Sequence, residues 1–282
     1  MSFSFVEYRP YLFSVAYHIL GEIPEAEDIV QDSLEVWLRR PSDEVRNVKS
    51  YLTRVVANKA IDRLKERQKQ QANYPGYWLP EPFVTSEEEI RGAASPDLLS
   101  YAMMHLLEQL NPAERAVFIL REAYDYPYND LAELLDLSPA NCRQLLSRAR
   151  KKIRPVEALP VVAGEDHQEV LEAFLRARKE DNPDALARLL KEDVILYSDG
   201  GGKRVAAMVP LVGADTVLKF LVGVARKTPS HAITPRGVQI NGQPGILLSL
   251  NGQPDTLIAL ETEGAGIRRL FLVRNPDKIF SL

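Results

Sequence analysis

The hydrophobic period of this chain changes once, after residue 153, and this change limits the folds that it can adopt. Before it, apolar residues recur every three or four positions, as in Leu52, Val55 and Val56, which is the spacing of amphipathic helices. Beyond residue 165, helical stretches give way to short apolar runs separated by the turn strings NGQPG, NGQPD and EGAG. The sequence therefore predicts an all-helical part followed by an α+β part with a curved antiparallel sheet.

Two proline-containing segments divide the chain further. Proline fixes its own backbone and disfavours helix in the residue before it, so the segments containing YPGYWLPEPFV and PVEALPVVAGE are predicted to be linkers. The predicted layout is a helical domain at 1–70, a linker at 71–97, a second helical domain at 98–154, a linker at 155–165 and an α+β domain at 166–282. In the last domain we expect helices at 167–179, 183–190 and 214–227 and strands at 237–240, 246–250, 256–261 and 266–273.

Composition excludes several classes of protein. Apolar residues make up 45% of the chain and charged residues 26%, which is ordinary for a globular protein. The only cysteine, Cys142, cannot form an internal disulfide, and we expect it to be buried in a cytoplasmic protein. The histidines lack metal-ligand spacing, and no apolar run approaches the roughly 20 residues that span a bilayer. We therefore expect no metal, no cofactor and no membrane contact.

The segment Tyr128–Ile153 has the pattern of a helix-turn-helix. A short apolar helix is followed by Asp136 at the turn, by Ser138 as the N-cap of a second helix and by Pro139 in its first turn. Such motifs place the second helix in the major groove of DNA. The residues predicted to be buried are Cys142, Leu145, Leu146, Ala149 and Ile153. The residues predicted to contact DNA are Ser138, Asn141, Arg143, Gln144, Ser147, Arg148 and Lys151. A basic helix that is merely solvated, or that binds a protein, is the alternative.

Two further helices carry unusual charge patterns. On one, Asp28, Gln31, Asp32 and Glu35 share a face, where like charges repel unless a basic partner uses them. A solvated face is the alternative. The next helix, Ser50–Gln70, is rich in cations, and cations attract phosphate while short polar side chains contact bases. Its candidate DNA contacts are Arg54, Asn58, Lys59, Asp62 and Arg63.

The strings AEDIVQDSLEVWLR, SYLTRVVANKAIDRLKERQK and LNPAERAVFILREAYDYPYNDLAELLDLSPANCRQLLSRARKKI resemble regions two and four of the extracytoplasmic-function sigma factors of bacterial RNA polymerase. The resemblance covers residues 1–155 and implies that the protein binds core RNA polymerase and promoter DNA without being an enzyme. It implies that the acidic face docks on the clamp of the largest polymerase subunit, with a further contact at the flap region, and that Trp37 is core. The helix Ser50–Gln70 would contact the proximal promoter element and trap a flipped base, and the helix from Ser138 would read the distal element. Leu145 stands where the family often has arginine.

The triple glycine of YSDGGGKRV does not form a nucleotide-binding loop. A Walker loop has the pattern G-x-x-x-x-G-K-[ST], and here Lys203 is followed by Arg204. The glycines instead predict a tight turn between two strands, VILYS and KRVAAMV.

The layout of the third part resembles SnoaL-like (NTF2-like) domains, and the strings WLPEP, DGGGK and NPDK resemble those of SigJ-type sigma factors with such an extension. This resemblance implies regulation in cis by the third domain, with no separate anti-sigma protein. The residues assigned to the regulatory contact are Trp78, Leu79, Pro80, Glu81, Pro82, Asp199, Gly200, Gly201, Gly202, Lys203, Asn275, Pro276, Asp277 and Lys278.

The linker itself needs a covering surface. Tyr77, Trp78, Leu79 and Phe83 place large apolar side chains in a segment too short to bury them, and each such burial is worth about 1.5–3 kcal/mol. We expect the third domain to cover them through the loops at Asp199 and Asn275. Packing on the linker's own helical domain is the alternative.

The rival interpretation is that the third domain is an enzyme or a sensor of an unknown small molecule. SnoaL-like domains resemble polyketide cyclases and ketosteroid isomerase, which use a carboxylate base in a conical pocket. Tyr197, Asp199 and His231 are the candidates for such a site, but their spacing shows no matched acid and base. We therefore expect no catalytic residue.

Overall fold

The chain folds into two units of different architecture. In the computed structural model, the residues described are 5–39, 45, 47–71, 73–85, 98–153, 165–227 and 232–279. The first unit, the helical unit, takes the described residues up to 71 together with 98–99 and 103–153. The second, the sheet unit, takes 73–85, 100–102, 165–227 and 232–279.

This division differs from the layout predicted from the sequence. The two helical parts expected at 1–70 and 98–154 lie in one unit, because their helices share a core. Residues 73–85, predicted to be part of a linker, belong to the sheet unit. Residue 154, most of the linker expected at 155–165 and the part of the first linker from 86 to 97 lie outside the described residues.

Helices account for the amino-terminal half of the chain. They are α1 Arg9–Leu20, α2 Ile23–Leu38, α3 Val48–Gln71, α4 Tyr101–Leu107, α5 Pro112–Phe118, α6 Tyr128–Leu135 and α7 Pro139–Lys152. A π-helical turn, Ile119–Ala123, follows α5.

Local sequence sets the ends of these helices. Helix α1 ends at Gly21, whose φ of 78° forms a left-handed cap, with its N–H donated to the carbonyl of Tyr17 at 2.6 Å. Helix α5 begins with a capping box, in which Asn111 and Glu114 each accept a hydrogen bond from the other's backbone N–H. Between the helices, side chains such as Tyr17 and Leu64 are fully buried. No helix in the described ranges is long and apolar enough to cross a bilayer.

The sheet unit combines helices with a mixed sheet. Its helices are α8 Glu165–Lys179, α9 Pro183–Leu189 and α10 Ala214–Lys227. Its strands are β1 Val84–Thr85, β2 Leu190–Asp199, β3 Leu211–Val212, β4 Ile233–Ile240, β5 Gln243–Leu250, β6 Gln253–Glu263 and β7 Gly266–Val273. The helices and main strands lie where the sequence predicts them, and the helical-then-α+β class is confirmed.

The expectation of a purely antiparallel sheet was wrong. The strand order is β1-β4-β5-β6-β7-β2-β3, and β2 runs parallel to β7 while the other neighbours are antiparallel. After β2 the chain crosses the sheet to β4, near the opposite edge, and returns through three hairpins to β7. Strand β7 therefore reaches β2 through a crossover rather than a hairpin, which allows the two strands to be parallel.

The hairpin predicted around the triple glycine was also wrong. Strand β2 ends at Asp199, but no strand includes Lys203 to Val209, and the next strand is the short β3. Gly201 and Gly202 have φ of 61° and 69° and turn the chain away. The Arg274 guanidinium donates a hydrogen bond to the carbonyl of Val205 at 2.5 Å, and this carbonyl has no strand partner.

The two faces of the sheet are covered differently. The helices cover one face, where Phe174, Leu196 and Leu270 are fully buried. The other face is covered by Leu79 and Tyr101, which pack with Phe271. The segment before α4 thus contributes Leu79 to this cover and also an edge strand, since Val84 and Thr85 pair with β4.

Candidate functional site

The helix-turn-helix has the local geometry that its sequence predicts. Helix α6 ends at Asp136, whose φ of 54° and ψ of 49° are left-handed, as expected for the turn residue. The Ser138 hydroxyl accepts a hydrogen bond from the N–H of Asn141 at 3.2 Å, and Pro139 opens α7. The predicted N-cap and turn are therefore confirmed.

Helix α7 presents one apolar and one polar face. The residues expected to be buried, Cys142, Leu145, Leu146, Ala149 and Ile153, are all at most 8% exposed. The candidate DNA contacts Ser138, Asn141, Arg143, Gln144, Ser147, Arg148 and Lys151 are all exposed. Leu145, which replaces an arginine common in the family, faces the core and therefore does not belong to the polar face.

Three cations of α7 have partners, and one of them, Lys152, forms an ion pair with Glu114 at 2.6 Å. The Arg143 guanidinium lies 5.2 Å from the centre of the Tyr128 ring, a cation–π distance. Arg150 forms an ion pair with Glu122 at 2.7 Å. Tyr128, Arg143, Ser147, Arg150 and Lys151 line a shared groove on this face. The groove is basic and aromatic, which suits a phosphate backbone.

Helix α3 engages α6 through a residue predicted to contact DNA. The Asn58 amide donates hydrogen bonds to the carbonyls of Arg54 and Leu134, both at 2.8 Å. Leu134 lies in the last turn of α6, where carbonyls lack partners within the helix. In this conformation the Asn58 amide satisfies that carbonyl.

The predicted polymerase-binding face and the predicted DNA-binding helix also contact each other. The ammonium of Lys59 lies 2.8 Å from the Asp32 carboxylate, and Arg63 lies 3.0 Å from Glu25. Both pairs are partly exposed, so each contributes at most about 1 kcal/mol. Asp28, Gln31, Asp32 and Glu35 are exposed, as are Arg54, Asp62 and Arg63. Trp37, expected in the core, is half-buried, with its ring 6.1 Å from that of Tyr51.

A buried charged cluster, which we call the Glu108 cluster, joins the two halves of the helical unit. Glu108 accepts from Arg67 at 3.0 Å and from Arg115 at 2.6 Å. Arg115, which is fully buried, also donates to the carbonyl of His18 at 2.9 Å, and Arg67 donates to the carbonyl of Leu20. Arg67 also lies 4.0 Å from the carboxylate of Glu22. The two arginines therefore have two carboxylate partners, and both also donate to the carbonyl end of α1, which carries partial negative charge.

Arg67 is a cation of α3 that does not belong to the exposed part of that helix. Arg67 follows Leu64 by three residues and Ala60 by seven, so it falls on the buried face of α3. That spacing was visible in the sequence. The partner Glu108 was not, because it lies 41 residues further along the chain.

His18 sits beside this cluster as a neutral imidazole. Its Nε2 accepts the N–H of Leu99 at 3.0 Å, and its Nδ1 lies 3.0 Å from the hydroxyl of Tyr124. Complete burial, followed by the nearby charge of Arg115, lowers the pKa of His18 to about 3. Since Nε2 accepts, Nδ1 carries the proton.

In the sheet unit, the strings WLPEP, DGGGK and NPDK meet at the Asp199 cluster. The fully buried Asp199 carboxylate accepts from the Tyr74 hydroxyl at 2.5 Å and from the backbone N–H groups of Leu79 and Gly201 at 3.0 and 2.9 Å. The ammonium of Lys278 lies 2.8 Å from the same carboxylate. The carboxylate thus has four donors and one counter-charge.

Lys278 binds the linker directly. Its ammonium also donates to the carbonyl of Leu79 and lies 3.3 Å from the centre of the Trp78 ring. The pKa of Tyr74 is raised, chiefly by burial and then by its hydrogen bond to Asp199. Tyr74 was not among the predicted site residues, although it lies four residues before Trp78.

Glycine is required in the DGGGK string because other chain segments approach closely. A Cβ on Gly201 would lie 2.4 Å from the side chain of Asn275, and one on Gly202 would lie 2.6 Å from Pro75. Asn275 in turn donates to the Tyr74 hydroxyl at 3.0 Å and caps the turn Pro276–Lys278. At the surface, Lys203 and Asp277 form an exposed pair at 2.6 Å. The carbonyl of Gly200 accepts a hydrogen bond from the backbone N–H of Lys203 at 3.0 Å.

The rest of the linker is built into the same unit. Leu79, Pro80, Glu81 and Pro82 are buried, and the Tyr101 hydroxyl donates to the carbonyl of Pro80 at 2.8 Å. The Tyr77 ring lies 5.1 Å from that of Tyr197. The sheet unit therefore covers the aromatic linker, which is the first of the two possibilities that the sequence left open.

The proposed catalytic residues do not form an active site. Both carboxylate oxygens of Asp199 accept hydrogen bonds within the cluster. The ring of Tyr197 stacks on that of Phe271, with ring centres 5.5 Å apart. His231 lies outside the described residues. Neither Tyr197 nor Asp199 lines the apolar cavity of this unit, whose walls include Leu221, Leu248 and Leu272. In the part of the chain that the structure describes, no cluster of three acidic, histidine or cysteine side chains is placed to hold a metal.

Comparison with known families and proteins gives matches along the whole chain. The family described as "Sigma-70 region 2" matches residues 5–70, and "Sigma-70, region 4" matches residues 100–153. The ECF RNA polymerase sigma factor SigJ of Mycobacterium tuberculosis is 32% identical over 286 residues, covering 96% of this chain and 90% of the relative. The probable ECF RNA polymerase sigma factor SigI of the same species is 28% identical over 276 residues, covering 96% of this chain and 92% of the relative.

A solved structure also matches nearly the whole length of this chain. The crystal structure of the M. tuberculosis extracytoplasmic function sigma factor SigJ has a TM-score of 0.80 to this chain at 30% identity, covering 97% of this chain and 96% of that one. The similarity therefore includes the sheet unit as well as the two helical regions.

Proposed function

Because this chain belongs to the extracytoplasmic-function sigma factors of RNA polymerase, we propose that its sheet unit regulates its activity in cis. Sigma factors bind core RNA polymerase and direct it to promoter DNA, and the polymerase carries out the chemistry. The chain is thus an initiation factor and not an enzyme. The question that remains is how the third domain acts on the other two.

We assign surfaces to this activity as the sequence suggests. The exposed face of α2, with Asp28, Gln31, Asp32 and Glu35, docks on the clamp of the largest polymerase subunit, and the region-four helices contact the flap. The polar face of α7 reads the distal promoter element. The exposed part of α3 binds the proximal element. The exposure of these side chains supports the assignment.

The helical unit is closed in a way that competes with these roles. Asn58 is bound to α6 and Lys59 to Asp32, so two proposed promoter contacts and one proposed polymerase contact are engaged within the chain. Both N–H donors of the Asn58 amide are used by the carbonyls of Arg54 and Leu134, so its nitrogen cannot also donate to a base in this conformation. We therefore propose that polymerase binding separates region two from region four and frees Asn58. The Lys59–Asp32 pair lies within region two, and we propose that it opens when polymerase takes Asp32 or DNA takes Lys59.

Separation has an energetic cost that comes mainly from the Glu108 cluster. Arg67 comes from region two, whereas Glu108 and Arg115 come from region four. Pulling these charges apart would leave buried or partly buried ions without their partners, which costs several kcal/mol unless water or polymerase replaces them. The closed unit is therefore the stable form of the free factor in this proposal.

The observation that carries the proposal is the anchoring of the connecting segment. Residues 73–85 join region two to region four along the chain, and the Asp199 cluster binds them into the sheet unit through Tyr74, Leu79 and Lys278. A connector held in this way has less freedom to extend when the regions separate. The fused domain can thus restrain the factor, a task that a separate anti-sigma protein would otherwise perform.

Run-off transcription with purified core polymerase tests this regulation. We expect Lys278→Met to raise the yield several-fold at limiting factor concentration, because the connector is released. Lys203→Met is the matched control, since it removes an equally close but exposed lysine–aspartate pair of the same unit. Equal yields from both variants and the wild type would contradict cis regulation, and a lower yield together with a lower melting temperature would indicate a purely structural role for Lys278.

A further inference from the structure

The sheet unit contains a cavity that the Asp199 cluster does not use. It lies between α10 and the strands and has a volume of about 50 Å³. Its walls are mostly apolar and include Phe220, Val224, Leu248 and Leu250. Two arginines, Arg178 and Arg274, also line it.

These two arginines differ in their partners. Arg274 forms an ion pair with Asp255 at 3.1 Å and donates to the Thr256 hydroxyl at 3.2 Å. Arg178 is half-buried on α8, and among the residues that the structure describes no acceptor contacts its guanidinium. Burial alone lowers the pKa of Arg178, with no carboxylate to offset it. The cavity therefore contains one uncompensated positive charge.

Such a charge is costly against apolar walls. A cation that loses part of its hydration without gaining a counter-ion weakens the fold, and half-buried Arg178 is in this position. The cost is offset if an anion binds there. Arginine pairs with carboxylates through two parallel hydrogen bonds, which is a strong and directional interaction.

Charge and size define the ligand further. One free arginine balances one negative charge, so a doubly charged phosphate would bring its own uncompensated charge. A volume of about 50 Å³ corresponds to three to five water molecules at roughly 10–15 Å³ each, which is the size of a carboxylate with three or four carbons. The hydroxyl of Ser249, which also lines the cavity, offers a second hydrogen-bond donor.

We propose that this cavity binds a short-chain monocarboxylate, with its carboxylate on Arg178 and its hydrocarbon chain against Phe220 and Leu248. The site is separate from the Asp199 cluster, and the proposal does not depend on regulation in cis. It assigns a ligand class to the third domain, which otherwise has only a regulatory role in the proposed function.

The test uses the full chain and butyrate, observed by saturation-transfer NMR. We expect butyrate to bind and the uncharged isostere butyramide to bind at least about tenfold more weakly, since hydrogen bonds to charged groups are the stronger ones. Equal binding of the two compounds, or no binding of butyrate, would overturn the proposal. This comparison needs no variant, so it does not depend on mutant folding.

Two variants locate the site. Arg178→Gln should lose about tenfold or more in butyrate affinity, whereas Arg176→Gln, an exposed arginine on the same helix, should bind as the wild type does. Arg178→Lys keeps the charge without the paired donors and should fall between them. If Arg178→Gln and Arg176→Gln bind butyrate equally well, the carboxylate does not lie on Arg178 and the proposal fails.

Discussion

The helical unit and the sheet unit each contain a buried carboxylate, but the two are used differently. Glu108 is shared by two arginines, which also donate to the carbonyl end of α1, and Arg67 lies 4.0 Å from a second carboxylate, Glu22. Asp199 has a single counter-ion, Lys278, and its other donors are neutral. The first cluster joins two regions that must act on DNA, whereas the second fixes the segment that connects them. The second cluster draws all its partners from the sheet unit, whereas the first depends on helices of two regions staying together.

The largest effect should come from breaking the first cluster. Glu108→Gln leaves Arg115 fully buried without a counter-charge, and removing one partner of a buried ion pair costs about 3–5 kcal/mol. We expect this loss in the free energy of unfolding of the helical unit, measured by urea denaturation. Trp37 lies in the helical unit and Trp78 in the sheet unit. In a Trp78→Phe background, the tryptophan fluorescence therefore reports on the helical unit. Glu35→Gln, at an exposed glutamate, should change stability by no more than about 0.5 kcal/mol; a similar effect of both variants would contradict the comparison.

The corresponding change in the second cluster should cost somewhat less. Asp199→Asn keeps the shape but leaves Lys278 unpaired and presents an amide group to donors, at a cost of about 2–4 kcal/mol. The loss should be confined to the sheet unit and be visible through Trp78 in a Trp37→Phe background. Asp277→Asn breaks only the exposed pair with Lys203 and should cost less than about 1 kcal/mol. If Asp199→Asn also lowered the urea midpoint reported by Trp37, the effect of this cluster would extend to the helical unit, which would contradict the comparison.

Acid should weaken the helical unit selectively. The pKa of His18 is about 3 in the folded chain, below its ordinary value of 6.5, so its contribution is present above pH 6.5 and is lost as pH falls toward 3. The expected loss is about 1.4 kcal/mol per pH unit inside this window, because the unfolded chain binds the proton first. Urea denaturation between pH 7 and pH 5 measures it. His18→Gln should remove this pH dependence, and its persistence in that variant would assign it to other groups.

The smallest effect concerns the neutral contact between α3 and α6. Asn58→Ala removes the hydrogen bond to the Leu134 carbonyl and should destabilise the helical unit by about 1 kcal/mol. Asn141→Ala, at an exposed position of α7, should leave stability within about 0.5 kcal/mol of the wild type. Identical urea midpoints for the two variants would mean that Asn58 does not hold the regions together, and that other contacts, such as the Glu108 cluster and the Tyr11–Tyr126 hydrogen bond, do so.

Sequence reasoning succeeded where interactions are local. The left-handed Asp136, the cap at Ser138 and the buried face of α7 follow from residues within one or two helical turns. Strand β7 lies at Gly266–Val273, as its apolar run predicts. Sequence reasoning failed where a residue distant in the chain determines the local structure. Lys203 to Val209 looked extended but forms no strand: the chain turns at Gly200–Arg204, and the Val205 carbonyl accepts a hydrogen bond from the distant Arg274 side chain.

The candidate site was predicted in part. The strings WLPEP, DGGGK and NPDK were singled out, and the structure brings Trp78, Asp199 and Lys278 together. Their regulatory role stays a prediction. Tyr74 and the Glu108 cluster were missed, because no short string marks a hydrogen bond between residues more than 40 positions apart.

By itself, the sequence determined the helices, the main strands, the caps and the family, since periodicity and short motifs are written in neighbouring residues. Only the tertiary structure decided that the connector belongs to the sheet unit, that Glu108 is the partner of Arg67, and that no carboxylate among the described residues pairs with Arg178. The physical reason is that burial and charge pairing depend on which residues meet in space. A periodic pattern can show which face of a helix is buried, but it does not identify the side chain that lies opposite.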